Sequence, residues 1–194
     1  MRIIGITGPT GAGKSTVTKG LAGLGYGTID ADKLYHSMLI PPSECLDAIR
    51  SEFGDGIFVP NGELDRRALA AKVFSDPEAL ERLNATVLPI VIEKIRAVIR
   101  ELDQKGYEAV IIDAPTLIES GFAKECDFVL SISAPEDVRI ERIIKRDGID
   151  ESRARARVCG QKGDEFYRAA SDAFLYDEGD AEQLLKSARE AIGI

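Results

Sequence analysis

Between an apolar hexapeptide and an amphipathic stretch stands Gly8-Pro9-Thr10-Gly11-Ala12-Gly13-Lys14-Ser15, followed by Thr16. It fits G-x-x-x-x-G-K-[ST] at each fixed position. The flanks also fit, because Ile3-Ile4-Gly5-Ile6-Thr7 reads as a buried strand and Ser15 to about Leu24 as a helix. In that setting the glycines let backbone N–H groups converge on phosphate oxygens, and the helix dipole adds positive charge at the same point. Lys14 then reaches the β- and γ-phosphates, Ser15 ligates Mg²⁺ and Thr16 donates to the α-phosphate. The plainer alternative is a glycine-rich turn capped by Ser15. A strand, a phosphate loop and a helix in this order restrict the chain to the P-loop class of α/β folds, with a nucleoside triphosphate such as ATP as the expected ligand.

The rest of the chain continues the alternation. Strands are expected over Tyr26 to Asp30, Tyr107 to Asp113, Phe128 to Ser133 and, more weakly, Ala173 to Tyr176. From Asp32 to Lys105 the pattern is almost wholly helical, punctuated by Pro41-Pro42, Gly54-Asp55-Gly56, Asn61-Gly62, Pro77 and Pro89. Pro135 to Arg146 reads as a charged helix, a second follows from Asp150, and Asp180 caps a closing amphipathic helix. Strands separated by helices imply a doubly wound parallel sheet, which binds ligands at the carboxyl ends of its strands. The expected organisation is one kinase-type domain: a core of 1–31, 106–134 and 171–194, a helical insert of 32–105 and a helical lid of 135–161.

Several acids and bases fall where such a sheet would use them. Asp30 and Asp32, two apart on an extended chain, would point to one side, where one accepts a proton and the other helps hold Mg²⁺. Alternatively one of them, Asp32, N-caps the helix that follows. Asp113 ends the run Val110-Ile111-Ile112 in the manner of a Walker-B acid that binds Mg²⁺, or else starts a turn before Pro115. Arg139, Arg142 and Arg146 share a helical face by spacing, with Lys145 beside them. Such a face is either solvated, with Glu136, Glu141 and Asp147 as partners, or closes over a triphosphate and neutralises the moving phosphoryl group. Beside a phosphate loop, the second reading is preferred for Arg142 and Arg146.

Charge and composition exclude other classes. A net charge of −8 opposes general nucleic-acid binding, which favours basic faces. No apolar run approaches the ~18 residues of a membrane span, and Met1-Arg2 leads into a strand without a signal-peptide pattern, so a cytoplasmic enzyme without a membrane partner is expected. Cys45, Cys126 and Cys159 lack metal-ligand spacing, and His36 is the single histidine. No obligate protein partner is implied. A guanine-binding N-K-x-D run is absent, which argues against a GTPase switch.

At the level of residues the chain resembles dephospho-coenzyme A kinases. The resemblance rests on the phosphate loop, Ile29-Asp30-Ala31-Asp32, Phe53-Gly54 and Gly62-Glu63-Leu64-Asp65-Arg66-Arg67-Ala68-Leu69. Val73-Phe74, Leu83-Asn84, Pro89, Pro115-Thr116-Leu117-Ile118-Glu119, Arg146-Asp147-Gly148, Arg157, Gln161 and Ser171-Asp172 continue it. The resemblance implies transfer of the γ-phosphoryl of Mg-ATP to the 3′-hydroxyl of dephospho-CoA, the last step of coenzyme A synthesis. It also implies a catalytic role for Asp32, acceptor binding by the helical insert with Asp32, Arg66 and Glu119, and a lid over 135–161. The chain departs from the family's usual pattern at Leu88, where histidine is common, at Ile118, and at Asp177-Glu178-Gly179, where an N-x-G pattern is common. These departures fall on recognition elements rather than on the loop or Asp32. They motivate an alternative, a related P-loop kinase with another nucleotide or small-metabolite acceptor. A non-catalytic ATP-binding module is the alternative from outside the enzymes, and retention of Lys14, Ser15, Asp32 and Asp113 speaks against it.

Overall fold

The computed structural model describes residues 1–194 apart from the side chain of Phe74, so that part of the resemblance lies outside the described residues. In chain order the elements are β1 (Arg2–Thr7), α1 (Lys14–Gly23), β2 (Gly27–Asp30), α2 (Ala31–Ser37) and α3 (Glu44–Phe53). Next come α4 (Arg66–Phe74), α5 (Pro77–Gln104), β3 (Ala109–Asp113), β4 (Phe128–Ser133) and α6 (Glu136–Asp147). The chain closes with α7 (Glu151–Cys159), α8 (Asp164–Ala169), β5 (Ala173–Tyr176) and α9 (Ala181–Ile192). It divides into two compact units, one of Met1–Ile29 with Leu102–Ile194 and the other of Asp30–Glu101.

The first unit is built on a five-stranded sheet of order β2-β3-β1-β4-β5, in which β1–β3, β1–β4 and β4–β5 pair in parallel. Alternation along the strands sends Ile4, Ile6, Ala109, Ile111, Leu130 and Ile132 to one face, where Val17 and Leu21 of α1 and Leu184, Ala188 and Ile192 of α9 cover them. Two aspartates close the ladders where strands begin. Asp127 Oδ2 accepts from Ile3 N–H and Asp172 Oδ2 from Val129 N–H, each at 2.7 Å. Asp172, part of the resemblance, therefore serves the sheet. The register Ile6↔Asp113 carries the Asp113 carboxylate to the end of β3 beside the strand that launches the phosphate loop.

The second unit is helical and holds α2, α3, α4 and α5 as far as Glu101. It buries Leu46, Ile49, Phe53, Ile57, Leu69, Val73, Val87, Val91 and Ile95. A short antiparallel bridge pairs Phe58 with Leu64 across the Asn61-Gly62 turn. Pro89, expected to punctuate, instead lies inside the 28-residue α5. The buried stripe Ala79, Val87, Val91, Ile95 runs past it at helical spacing, so packing overrides the local cost of proline. Among the described residues, no helix is long and apolar enough to cross a membrane.

Candidate active site

The loop from Gly8 to Thr16 takes its shape from backbone that only glycine adopts easily: Gly11 has φ +80° and Gly13 φ +96°. Gly13 is the N-cap of α1 and no side chain caps the helix, an arrangement that suits an anion at the helix N-terminus. The alternative of a turn capped by Ser15 does not occur; Ser15 and Thr16 are exposed on the first turn. Lys14 is buried, and its Nζ donates to the carbonyls of Gly8 at 2.8 Å and Pro9 at 2.9 Å. Its ammonium is thus held against the loop at the place where phosphate would be wrapped.

Asp113 ends β3, and its Oδ2, 3.4 Å from Thr18 Oγ1, shares that hydroxyl's single hydrogen with Lys14 O at 3.1 Å. Thr18 therefore links the carboxylate to α1 immediately behind Lys14 and Ser15. Among the described residues no group of three or more His, Cys, Asp or Glu is arranged to hold a metal ion. The Asp113 carboxylate and the exposed Ser15 hydroxyl are hard oxygen donors of the kind Mg²⁺ takes alongside phosphate and water.

The arginine face of α6 packs on the tip of the loop. Arg139 is 5% exposed, and its Nε donates to Thr10 O at 3.0 Å and its NH2 to Gln161 Oε1 at 2.8 Å. Gln161 Oε1 also accepts from Thr10 N–H at 3.0 Å. Burial lowers the pKa of Arg139 from its usual value, against the opposing charges of Asp164 and Glu136, yet a guanidinium remains protonated. Arg142 NH1 donates to Gly11 O at 3.0 Å and pairs with Asp177 Oδ2 at 2.7 Å. Arg146, more exposed, is bidentate to Asp147 at 2.7 and 3.0 Å, and its NH2 reaches Thr10 Oγ1 at 3.4 Å. Arg157 joins the same carboxylate. Arg153 and Arg155 pair with Asp150 and Glu151 on their own helix, away from this cluster.

The pairing of Arg142 with Asp177 was not foreseen from the sequence. Asp177 is 4% exposed, one residue beyond β5, with its N–H donating to Ser133 O at 2.7 Å. The rule that placed Asp113 and the loop at strand ends applies equally to Asp177, which the sequence marked only as a departure from the N-x-G pattern and not as a partner of Arg142. Gln161 and Arg139 entered only through resemblance and spacing, because nothing local in a helix reveals a partner more than a hundred residues away. Glu119 is exposed in the turn after β3, and its charge helps push the buried Tyr167 hydroxyl up to about 12, after burial itself.

The remaining expected residues belong to the helical unit. There the capping expectation reverses: Asp30, not Asp32, caps α2, its Oδ1 accepting from Lys33 N–H at 2.9 Å and its Oδ2 pairing with Lys33 Nζ at 2.7 Å. The cause is the helix starting at Ala31 rather than Lys33, which makes Asp32 an exposed first-turn residue and ends the extended geometry assumed for the pair. Burial raises the Asp30 pKa, but the hydrogen bonds and charge of Lys33 outweigh it and hold the carboxyl below its usual value. Arg66 opens α4, exposed, just after Asp65, which caps that helix through Arg67 N–H and Ala68 N–H at 3.0 Å. Burial and the neighbouring Cys45 raise Tyr35 to about 12, against the opposing charge of Arg66.

The chain as a whole is similar to known proteins. The model of the family described as CoaE, dephospho-CoA kinase, matches residues 2–183. A dephospho-CoA kinase from Corynebacterium jeikeium is 37% identical over 186 residues, 96% of this chain and 95% of the relative. One from Geobacillus kaustophilus is 37% identical over 180 residues, 93% of this chain and 90% of the relative. A crystal structure from Thermus thermophilus superposes with a TM-score of 0.81 at 33% identity, covering 99% of this chain and 96% of that one. A dephospho-CoA kinase structure from Campylobacter jejuni gives 0.70 at 26% identity, covering 100% and 96%. With a family match across nearly its whole length and relatives aligned end to end, the chain belongs to the dephospho-CoA kinase family.

Proposed function

We propose that Lys14, Arg142 and Arg146 gather the positive charge at which this chain moves a phosphoryl group, and that Asp32 assists the acceptor hydroxyl. The overall reaction is the family's: ATP-dependent phosphorylation of the 3′-hydroxyl of dephospho-CoA. One observation carries the assignment of roles, namely three cationic side chains from two elements gathered on the glycine-rich loop that opens α1. Phosphoryl transfer is mostly positioning and electrostatics, and this arrangement supplies both.

In this reading residues Gly8 to Thr16 wrap the triphosphate, with Pro9, Thr10 and Ala12 setting the loop's path and Gly11 and Gly13 its turns. Mg²⁺, when bound, would screen the β- and γ-phosphate charge, and Ser15 and Asp113 would hold it from the protein side. Lys14 leaves the carbonyls of Gly8 and Pro9 for phosphate oxygens. Arg142 and Arg146 offset the charge that develops on the transferring group. Asp32 accepts the proton of the attacking hydroxyl, and Arg66 and Glu119 orient the acceptor, Arg66 against its pyrophosphate.

The test is an ADP-release assay over a panel of acceptors with Mg-ATP in excess. Dephospho-CoA is expected to stimulate release, and nucleoside monophosphates and other metabolites are not. Turnover of another acceptor with none of dephospho-CoA would overturn the acceptor assignment and favour the reading that departures such as Leu88 and Asp177 motivate.

A further inference from the structure

A buried carboxylate one residue past the last strand stands against the phosphate loop. Asp177 Oδ2 lies 2.5 Å from where a Cβ on Gly13 would sit, so the loop at Gly13 is in direct contact with it. Its other oxygen accepts from Gly179 N–H at 2.8 Å, and its backbone N–H is tied to Ser133 at the end of β4. Two attachments, one to the sheet and one within its own turn, give this carboxylate little freedom. Arg142, by contrast, has a long side chain that is 34% exposed. Its NH1 nitrogen serves both Asp177 Oδ2 and the carbonyl of Gly11.

We propose that Asp177 is a positioning residue that aims Arg142 across the Gly11–Gly13 tip of the phosphate loop, so that loop and guanidinium meet the ATP phosphates already arranged. A carboxylate with 4% exposure is retained only when its charge is matched, and here the match is a guanidinium whose own direction is thereby fixed. Without Asp177, Arg142 spreads over its rotamers and the Gly11 carbonyl loses a charged donor. Asparagine at 177 keeps an oxygen for the hydrogen bond but not the charge, and so holds Arg142 less firmly. The inference rests on the reading that ATP occupies this loop.

The experiment measures the Kd of Mg-ATP by calorimetry, together with kcat and KM for each substrate, in Asp177→Ala, Asp177→Asn, Arg142→Ala and the double variant Asp177→Ala/Arg142→Ala. Loss of one charge-assisted hydrogen bond corresponds to about tenfold or more. Asp177→Ala and Arg142→Ala are each expected to weaken ATP binding by that factor, Asp177→Asn by less, with KM for dephospho-CoA unchanged. The double variant is expected to be no worse than Arg142→Ala, because the two side chains act as one device. Multiplying losses, or an equal rise in both KM values, would reduce Asp177 to a purely structural residue and overturn the proposal. Should Asp177→Ala fail to fold, Asp177→Asn decides: unchanged ATP affinity in that variant overturns the proposal, and an intermediate loss supports it. The calorimetric Kd needs no acceptor, so failure of dephospho-CoA turnover in the unmodified chain is a separate result.

Discussion

Lys14 Nζ donates to two carbonyls of its own loop, at 2.8 and 2.9 Å. A buried ammonium needs such acceptors, yet neutral carbonyls are weaker partners than phosphate oxygens. The exchange of one for the other costs little and is in place before the transition state, where charge on the transferring group is greatest. Removing a preorganised donor of this kind lowers kcat by about 10²–10³-fold. Steady-state kinetics of Lys14→Ala are therefore expected to show at least that loss, and Asp32→Asn a smaller one, since a general base contributes modestly to phosphoryl transfer. Equal activity of Lys14→Ala and the unmodified chain would remove the loop from the chemistry. Lys14 was legible in the sequence because its motif is contiguous and its context is local. Asp30 and Asp32 were legible as a pair but not in their roles, because a two-residue shift in where α2 begins exchanges cap and first-turn positions, and cap signals locate a helix start only to within a residue or two.

The arginine spacing 139, 142, 146 identified one face of α6, and all three residues meet the loop on that face. The spacing does not reveal that the face is fastened. Arg139 and Gln161 take the backbone carbonyl and N–H of Thr10, which makes the start of α6 and the turn after α7 part of the loop's support. At the far end of α6 the attachment is a surface cluster in which Asp147 joins Arg146 and Arg157. Its pH dependence has a definite sign. Hydrogen bonding from Arg146 first, and then the charges of Arg146 and Arg157, hold the Asp147 carboxyl below its usual 3.8, outweighing burial. A carboxylate depressed in the folded state contributes stability that is present above 3.8 and is lost as pH falls through the folded value. Solvent screening keeps that contribution small. Comparing Asp147→Asn with the unmodified chain by thermal melts is expected to give a Tm difference at neutral pH that narrows once pH drops below 3.8. A difference that persists or grows in acid would show that the carboxylate's charge is not what Arg146 and Arg157 read. Pro89 marks the opposite failure of local signals: a residue that ends isolated helices is carried inside α5 by a stripe of buried valine and isoleucine.

At the scale of the whole molecule, the parallel sheet was legible because four of its strands are apolar runs bounded by turns, and the carboxyl-end rule then located Gly8, Asp113 and, in retrospect, Asp177. The same topology predicts where ligand stabilisation appears. All of the loop, α6, Gln161 and Asp177 belong to the unit formed by Met1–Ile29 and Leu102–Ile194. ATP that binds this folded unit and not the unfolded chain stabilises it by RT ln(1 + [L]/Kd), about 2.7 kcal/mol at a hundredfold excess over Kd. For a chain of this size that is a rise in Tm of roughly 5–10 °C. Mg-ATP alone is expected to produce that rise, with slowed hydrogen exchange concentrated in β1, α1, α6 and the turn after β5 rather than in α3 and α4. Lys14→Ala is expected to lose most of the shift at the same nucleotide concentration, whatever its own unliganded Tm. Protection centred on the helical unit, or a full shift retained by Lys14→Ala, would mean that the triphosphate is held somewhere other than the loop from Gly8 to Thr16, and the roles assigned to Arg142, Arg146 and Asp177 would fall with it.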